Sequence, residues 1–283
     1  SALGHRASAP GHRAFALGCR ALASGCRGTS TGDAHFLVAR RSMLAVRHRS
    51  GSTCAGAARK PTRHAVYCTY AVPTYLVTGT DTGVGKTFWA CRLAHALQIR
   101  GRVFAHKPIE TGVSPGTAPP DAVALAIASG RAAEDHRCAY VLAQPAAPLV
   151  AAAAEATTID LEQALAPSLA AQRDHHHAVI VEGAGGWRVP ITKHADTSAL
   201  ALRLGAPVIV VARAGLGTIN HSALTVAAIR ADGLSVAVVL LSRLPSDDID
   251  FANANAAEIE RIARVRAAVV DASTEPSRLL QLL

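Results

Sequence analysis

The segment Gly79–Thr87, which reads GTDTGVGKT, contains the residue types that bind phosphate. Glycines allow backbone N–H groups to turn towards an anion, and the start of a following helix adds positive potential. Lys86 could then reach the β- and γ-phosphates of a nucleotide, and the hydroxyl of Thr87 could ligate Mg²⁺. Five residues separate Gly79 from Gly85, where the common loop has four. Because the segment follows an apolar run and opens a helical pattern, it predicts a phosphate site rather than a chance glycine turn.

A lysine, Lys107, follows the second apolar run in the sequence HKPIETG. A lysine at the carboxyl end of a parallel strand points at the same crevice as a phosphate loop. Alone it would be an ordinary solvated lysine, but beside such a loop it becomes a candidate second cation for a transferring phosphoryl group. Thr111, in the same turn, could bond a substrate or serve only to form the turn.

Two carboxylates are candidates for a metal site. Glu182 stands at the end of the third apolar run, and we place it three strands away from the phosphate loop. A carboxylate there resembles the acidic Mg²⁺ partner of nucleotide hydrolases, the alternative being a solvent-exposed strand end. Gly183, Ala184 and Gly185 would let a nucleotide or substrate approach the backbone. Asp121 is the second candidate; by itself it is better interpreted as a helix N-cap, and the two roles are compatible.

A further anion site is predicted in GLGTINH, residues 215–221, which follows another apolar run and opens a helix. Backbone N–H groups at such a helix start could hold a small anion such as a carboxylate. A glycine turn with a threonine cap fits the same residues equally well.

The histidine triplet at residues 175–177 predicts no metal site. Three consecutive histidines cannot all face one ion, and no His or Cys partner lies at ligand spacing, so we expect them to be solvated. Trp187, beside the glycine turn, is expected either to cover the site or to have a structural role.

The elements that must position these residues alternate between apolar strands and helices. Strand patterns cover residues 75–79, 102–108, 177–186, 206–214 and 234–242. Helix patterns cover residues 84–99, a short stretch from 121, 158–173 with Thr157 or Thr158 as its cap, and 217–231. This order predicts a mostly parallel α/β sheet with helices on both faces, in which ligands bind at the carboxyl ends of the strands.

Composition limits the classes of protein. Of the 283 residues, 50% are hydrophobic and 17% are charged, which excludes a chain that is disordered as a whole. The longest uncharged stretch beyond residue 74, residues 138–154, contains two prolines and is shorter than the ~20 apolar residues of a spanning helix. We therefore expect no membrane partner.

Charge separates residues 1–74 from residues 75–283. The first segment has eleven Lys and Arg against one acid, Asp33, whereas the second has 18 basic and 19 acidic residues. The second segment therefore gives no reason to expect a nucleic-acid partner. It contains two isolated cysteines, Cys91 and Cys138, which fits a reduced intracellular domain and predicts a cytoplasmic protein.

Residues 1–74 form a basic leader that is predicted to be disordered or not native. Its Arg- and Ser-rich, acid-poor composition is typical of an organelle transit segment. It also fits a basic nucleic-acid arm, or upstream sequence that is not part of the native protein. Under the transit interpretation the protein would be directed to an organelle.

The motifs, taken in order, resemble the dethiobiotin synthetase family. They are VTGTDTGVGKT (77–87), HKPIETG (106–112), Asp121 at a helix start, VEGAGGWRVPI (181–191) and GTINH (217–221). The resemblance covers about residues 75–263 and is specific because several motifs occur in one order and spacing. It implies a single P-loop NTPase-like domain over residues 75–283.

The resemblance also implies a reaction. An ATP-dependent cyclo-ligase of biotin synthesis would join 7,8-diaminononanoate with CO2, through a carbamate and a carbamic–phosphoric anhydride, to form dethiobiotin. ATP is the co-substrate, Mg²⁺ is the implied cofactor, and the implied assembly is a homodimer.

Roles carry over by position. The implied catalytic residues are Lys107, Lys86 and Thr82, and the implied Mg²⁺ ligands are Thr87, Asp121 and Glu182. The diamine, its carbamate or its carboxylate would be held by Thr82, Thr111, Gly217, Thr218, Ile219 and Asn220, the last four across the dimer interface. The implied nucleotide-binding residues are Gly83, Val84, Gly85, Lys86, Thr87, Phe88, Asp121, Glu182, Gly183, Ala184, Gly185, Ser242 and Arg243.

Departures from the family concern the base pocket. Ser242-Arg243 replaces a purine-reading Asn-Asp, and the Gly-Glu-Ile-Pro-like turn expected near the C-terminus is not evident. The alternatives are a degenerate paralogue that binds nucleotide without turnover and an ATPase that positions chromosomes or septa. A cobyrinate-type amidoligase is a third, and it would need a glutaminase domain with a nucleophilic cysteine.

Overall fold

The structure is a computed structural model that describes residues 72–174 and 176–283. The predicted leader therefore lies outside the described residues except for its last three positions. His175 of the histidine triplet lies outside them as well.

The strands are β1 (Thr74–Gly79), β2 (Val103–His106), β3 (Ile109–Thr111), β4 (Tyr140–Leu142), β5 (Ala178–Gly186), β6 (Pro190–Thr192), β7 (Ala195–Asp196), β8 (Val208–Arg213), β9 (Val236–Ser242) and β10 (Ala267–Val270). The α-helices are α1 (Lys86–Leu97), α2 (Pro120–Ala128), α3 (Pro148–Ala154), α4 (Leu161–Arg173), α5 (Ser198–Leu204), α6 (Thr218–Ala231), α7 (Ile249–Ala263) and α8 (Pro276–Leu282). Short 3-10 turns follow α1 at Gln98–Arg100 and α2 at Ala133–Asp135.

A six-stranded parallel sheet with the order β10-β9-β8-β1-β5-β2 forms the centre of the fold. The pair β3-β4 is also parallel, and β6-β7 is an antiparallel hairpin. The predicted α/β class is confirmed. The phosphate-loop strand β1 lies inside the sheet, between β8 and β5, so its carboxyl end has neighbours on both sides.

Helices cover both faces of the sheet, which explains why its strands read as continuous apolar runs. Leu76 and Val77, adjacent in β1, are both fully buried, but they belong to two separate hydrophobic clusters. On one face the cluster includes Trp89 of α1 and Leu279 of α8. On the other it includes residues of the helices α3, α4, α5, α6 and α7.

Several predicted boundaries shift. Helix α1 begins at Lys86 rather than at residue 84, because the loop continues to Gly85, which has the left-handed φ of 95°. The cap of α4 is Asp160 rather than Thr157 or Thr158, and its carboxylate accepts the N–H groups of Glu162 and Gln163. The sequence interpretation named no element after Ser242, where the structure has α7, β10 and α8.

Helix lengths bear on the membrane expectation. Over residues 72–174 and 176–283, none of the helices combines the length and the apolar character needed to cross a bilayer.

Candidate functional site

The loop between β1 and α1 has the backbone of a phosphate loop. Gly83 and Gly85 have φ values of 71° and 95°, which residues with side chains rarely adopt. A Cβ atom at Gly79 would lie 2.8 Å from the carbonyl oxygen of Asp81, so the turn closes only with glycine there. The N–H of Thr80 donates to Val211 in β8 at 2.9 Å and anchors the start of the loop.

Lys86 is buried and folds back over this loop. Its Nζ donates to the carbonyl oxygen of Asp81 at 2.9 Å. Burial lowers the pKa of Lys86 to about 8, and the nearby charge of Lys107 adds to that shift. Two cations held close together in a buried site favour an anion between them.

Lys107, Asp121, Glu182 and Thr87 meet beside the phosphate loop, although each comes from a different part of the chain. The Nζ of Lys107 lies 2.5 Å from Oε1 of Glu182 and 3.0 Å from Oδ2 of Asp121. The hydroxyl of Thr87 donates to the same Glu182 oxygen at 2.9 Å. The structure therefore brings together one predicted cation and the three predicted metal ligands.

The position of Glu182 differs from the sequence interpretation. Strand β5 pairs directly with β1, with Glu182 opposite Val77, so the carboxylate is on the neighbouring strand and not three strands away. Lys107 follows β2, which pairs with the other edge of β5. The two side chains thus project from adjacent strands at the same end of the sheet.

The charges of this cluster stabilise one another. Lys107 and Glu182 are 5% and 1% exposed. Burial by itself would lower the pKa of Lys107, but the carboxylates of Glu182 and Asp121 outweigh it and hold that pKa above its usual value. Burial raises the pKa of Glu182, and the Lys107 ammonium opposes that shift. Lys107 is therefore held as an ammonium ion.

Asp121 is not the N-cap of its helix. The N-cap of α2 is Pro119. Asp121 lies in the first turn of the helix, and its carboxylate forms an ion pair with Lys107. The cap is Glu110 in β3, whose two oxygens accept the N–H groups of Asp121 and Ala122, each at 2.9 Å. Sequence reasoning missed Glu110 because it lies eleven and twelve residues before the two groups that it caps, beyond any local capping pattern.

The donor set fits Mg²⁺. Thr87, Asp121 and Glu182 present oxygen atoms, which this ion prefers, and Oε2 of Glu182 is buried with no hydrogen-bond partner among the described residues. Within residues 72–174 and 176–283, no group of three His, Cys, Asp or Glu side chains could by itself hold a metal ion. Two carboxylates and a hydroxyl suit an ion that takes its remaining ligands from phosphates and water.

The turn between β8 and α6 begins beside the phosphate loop. The guanidinium of Arg213 at the end of β8 donates to Asp81 and to the carbonyl oxygen of Thr82, both at 3.3 Å. The N-cap of α6 is Gly217, with φ 88°, so the predicted threonine cap is wrong. Thr218 is buried, and its hydroxyl has no partner within residues 72–174 and 176–283. Ile219 and Asn220 complete the first turn of α6.

The other predicted binding residues lie in the loop, in α1, in β3 and in β5. Val84 is buried, and Phe88 packs edge-on against Trp89. A Cβ atom at Gly183 would lie 3.0 Å from Thr197, and Gly185 has φ 73°. Ala184 lies between them in β5, and Thr111 ends β3 half-buried.

The side chains of Ser242 and Arg243, at the end of β9, form hydrogen bonds with other side chains of the protein. The hydroxyl of Ser242 accepts the indole N–H of Trp89 at 2.9 Å. Arg243 pairs with Asp271 at 2.7 Å and donates to the carbonyl oxygen of Asp247. Ser242 therefore keeps its O–H as a donor, and Arg243 ties the ends of β9 and β10 together.

Two aromatic features have structural partners. Trp187 is buried, and its indole N–H donates to Asp232 at 2.8 Å, which supports a structural role. His176 and His177 are half-buried rather than solvated. The ring of His176 packs edge-on against Phe104.

Known proteins resemble this chain over the region that contains the site. A family profile described as an AAA domain matches residues 73–271. The ATP-dependent dethiobiotin synthetase BioD of Anaeromyxobacter dehalogenans (strain 2CP-1 / ATCC BAA-258) is 46% identical over 190 residues, which cover 66% of this chain and 83% of that protein. The BioD of Xanthomonas axonopodis pv. citri (strain 306) is 42% identical, over 57% and 74% of the two chains.

A solved structure of a ParA family ATPase from Chlorobium tepidum TLS is 13% identical, with a TM-score of 0.44 over 75% of this chain and 89% of that one.

Proposed function

The chain belongs to the family of ATP-dependent dethiobiotin synthetases, and on this premise we propose that it forms dethiobiotin from 7,8-diaminononanoate, CO2 and ATP. The observation that carries the proposal is the cluster of Lys107, Asp121, Glu182 and Thr87 at the phosphate loop. A carbamate must approach a triphosphate in this reaction, so the main barrier is repulsion between anions. Buried cations beside the loop are the groups that oppose this repulsion.

The triphosphate is bound by the backbone N–H groups of residues 83–87 and by Lys86. The left-handed glycines of this loop support the binding, because their backbone turns N–H groups inward. The pKa of Lys86 is lowered because burial and the nearby charge of Lys107 outweigh the neighbouring carboxylates, and a bound phosphate would stabilise the charged form.

Thr87, Asp121 and Glu182 would hold Mg²⁺, which when bound supplies positive charge to the phosphates and to the leaving group. Lys107 already bridges the two carboxylates. It therefore stays protonated, and its proposed role is to stabilise the carbamate and the γ-phosphate as they meet.

The chemistry proceeds in three steps. One amine adds to CO2 and loses a proton, which gives a carbamate. A carbamate oxygen then attacks the γ-phosphorus, the bond to the β-phosphate oxygen breaks, and ADP leaves. The second amine attacks the carbonyl carbon, loses a proton and expels phosphate, which closes the ring. Lys107 and Lys86 stabilise the transferring phosphoryl group, and orientation of the bound reactants lowers the remaining barrier.

The diamine is held by Thr82 and Thr111, and its carboxylate by the start of α6 in a homodimer. The Thr218 hydroxyl, which has no hydrogen-bond partner among the described residues, and the helix N-terminus both suit a carboxylate. Leu216, which precedes the start of α6, and Leu224, which lies within α6, are 95% and 62% exposed. These exposed leucines support a second subunit at this surface.

One assay tests the proposal against its alternatives. The expected result is phosphate release from ATP that requires both diaminononanoate and bicarbonate, with dethiobiotin detected by mass spectrometry. Hydrolysis without the diamine would favour a positioning ATPase, and a requirement for glutamine would favour an amidoligase. Nucleotide binding without turnover would identify a degenerate paralogue.

A further inference from the structure

Glu110 is a buried carboxylate that the proposed chemistry does not use. It lies in β3 and is 4% exposed. Both of its oxygens are bonded to the start of α2, one to the N–H of Asp121 and one to the N–H of Ala122, at 2.9 Å each. Glu110 therefore accepts a hydrogen bond from the backbone of Asp121, whose side chain belongs to the proposed metal site.

The start of α2 has no local cap. The first N–H groups of a helix lack intrahelical partners and normally bond to an N-cap side chain. Here the N-cap is Pro119, whose side chain has no acceptor, and Pro120 at the next position has no N–H. The connection to β3 therefore replaces the usual cap of α2.

Glu110 and Lys107 hold Asp121 from two sides. They are three residues apart, and the segment that contains them is fixed by the pairing of β3 with β4 and by the buried side chain of Ile109. Lys107 bonds to the carboxylate of Asp121, and Glu110 bonds to its backbone N–H. The position of this carboxylate thus depends on both contacts.

We propose that Glu110 is a positioning residue that holds the Asp121 carboxylate in place for Mg²⁺. The inference rests on the proposed function, because it takes Asp121 as a metal ligand. Both Glu110 oxygens are occupied by backbone N–H groups, so it acts through Asp121.

The variant Glu110→Gln keeps the size of the side chain. Its amide oxygen can accept one of the two N–H groups, while its NH2 group meets the other as a second donor. The control is Glu155→Gln, because Glu155 is an exposed carboxylate that accepts one backbone N–H, that of Ala143. None of its described contacts involves the cluster.

The experiment is a titration of the full-length protein with Mn²⁺ in the presence of ADP, followed by electron paramagnetic resonance. Removing the partner of a metal ligand weakens metal binding by about 10- to 100-fold. We expect Glu110→Gln to weaken Mn²⁺ binding by about tenfold, while ADP binding in EDTA and the behaviour of Glu155→Gln stay as in the wild type. Unchanged Mn²⁺ binding in Glu110→Gln would overturn the inference.

Two further variants separate the possible failures. If Asp121→Asn does not weaken Mn²⁺ binding, the proposed metal site is wrong. In the double variant Glu110→Gln, Pro119→Ser, the serine supplies a local N-cap without the connection to β3, and it also keeps α2 capped if the single variant folds poorly. Melting temperature should recover there while Mn²⁺ binding stays weak. Recovery of both would mean that Glu110 is only a helix cap.

Discussion

The Nζ of Lys107 lies 2.5 Å from Oε1 of Glu182, although the two residues are 75 positions apart. Glu182 is in β5, and Lys107 follows β2, the strand that pairs with β5. Parallel pairing thus brings a buried cation and a buried anion to one end of the sheet, next to the phosphate loop. An ion pair buried in this way is weak evidence for stability, and groups perturbed in this way cluster at functional sites.

Removing the cation of this pair should stop the reaction without preventing nucleotide binding. We expect Lys107→Ala to bind ATP nearly as the wild type does and to lower turnover by on the order of 10²–10³, because a cation acting in the transition state is lost. The control is Lys193→Ala, since Lys193 is exposed. Calorimetric ATP binding, melting temperature and dethiobiotin formation check the result. Dethiobiotin formation at the wild-type rate would contradict the role of Lys107.

Base selectivity should be weak. A purine reader needs a donor and an acceptor, whereas the Ser242 hydroxyl already accepts a hydrogen bond from Trp89. We expect CTP and GTP to support the reaction within about tenfold of ATP, which corresponds to roughly 1.4 kcal/mol. The measurement is kcat/KM for four nucleoside triphosphates at fixed Mg²⁺. A preference for ATP above about a hundredfold, or about 2.7 kcal/mol, would mean that other groups read the base.

Acid should destabilise the protein through His106. This buried ring lies 2.7 Å from the Ser168 hydroxyl and 3.0 Å from the Arg137 carbonyl oxygen, which requires N–H on Nε2. Burial lowers the pKa of His106 from 6.5 to about 4. The unfolded chain therefore binds the proton more readily, and stability falls as the pH drops from 6.5 towards 4, by up to about 3 kcal/mol.

Urea unfolding between pH 7 and pH 4 measures this effect. His106→Gln cannot take up that proton, so its stability should fall less steeply over the same range, even if it is less stable at pH 7. Parallel pH profiles for the two proteins would assign the acid sensitivity to other groups.

Deleting residues 1–71 should leave activity and melting temperature unchanged. These residues are basic, and no apolar period among them can join the core. The comparison is between the full chain and a chain that begins at residue 72, by steady-state assay and thermal unfolding. An insoluble or inactive truncated protein would show that the leader is required.

The amino-acid sequence by itself determined the α/β class, the phosphate loop and the family, because each depends on local order. Glycines at positions 83 and 85 are needed by the left-handed backbone of the loop, and apolar strands that are buried on both faces read as continuous runs. Such signals lie within a few neighbouring residues and can be read without the fold.

Only the tertiary structure decided what meets at the site. Local spacing predicted that Asp121 caps its helix. The structure shows that the cap is Glu110 from β3, while the carboxylate of Asp121 forms an ion pair with Lys107. The strand order put Glu182 beside β1, and the approach of α1 to β9 joined Trp89 to Ser242. The physical reason is that these contacts join residues distant in sequence, so they depend on how strands pair and helices pack rather than on local propensity.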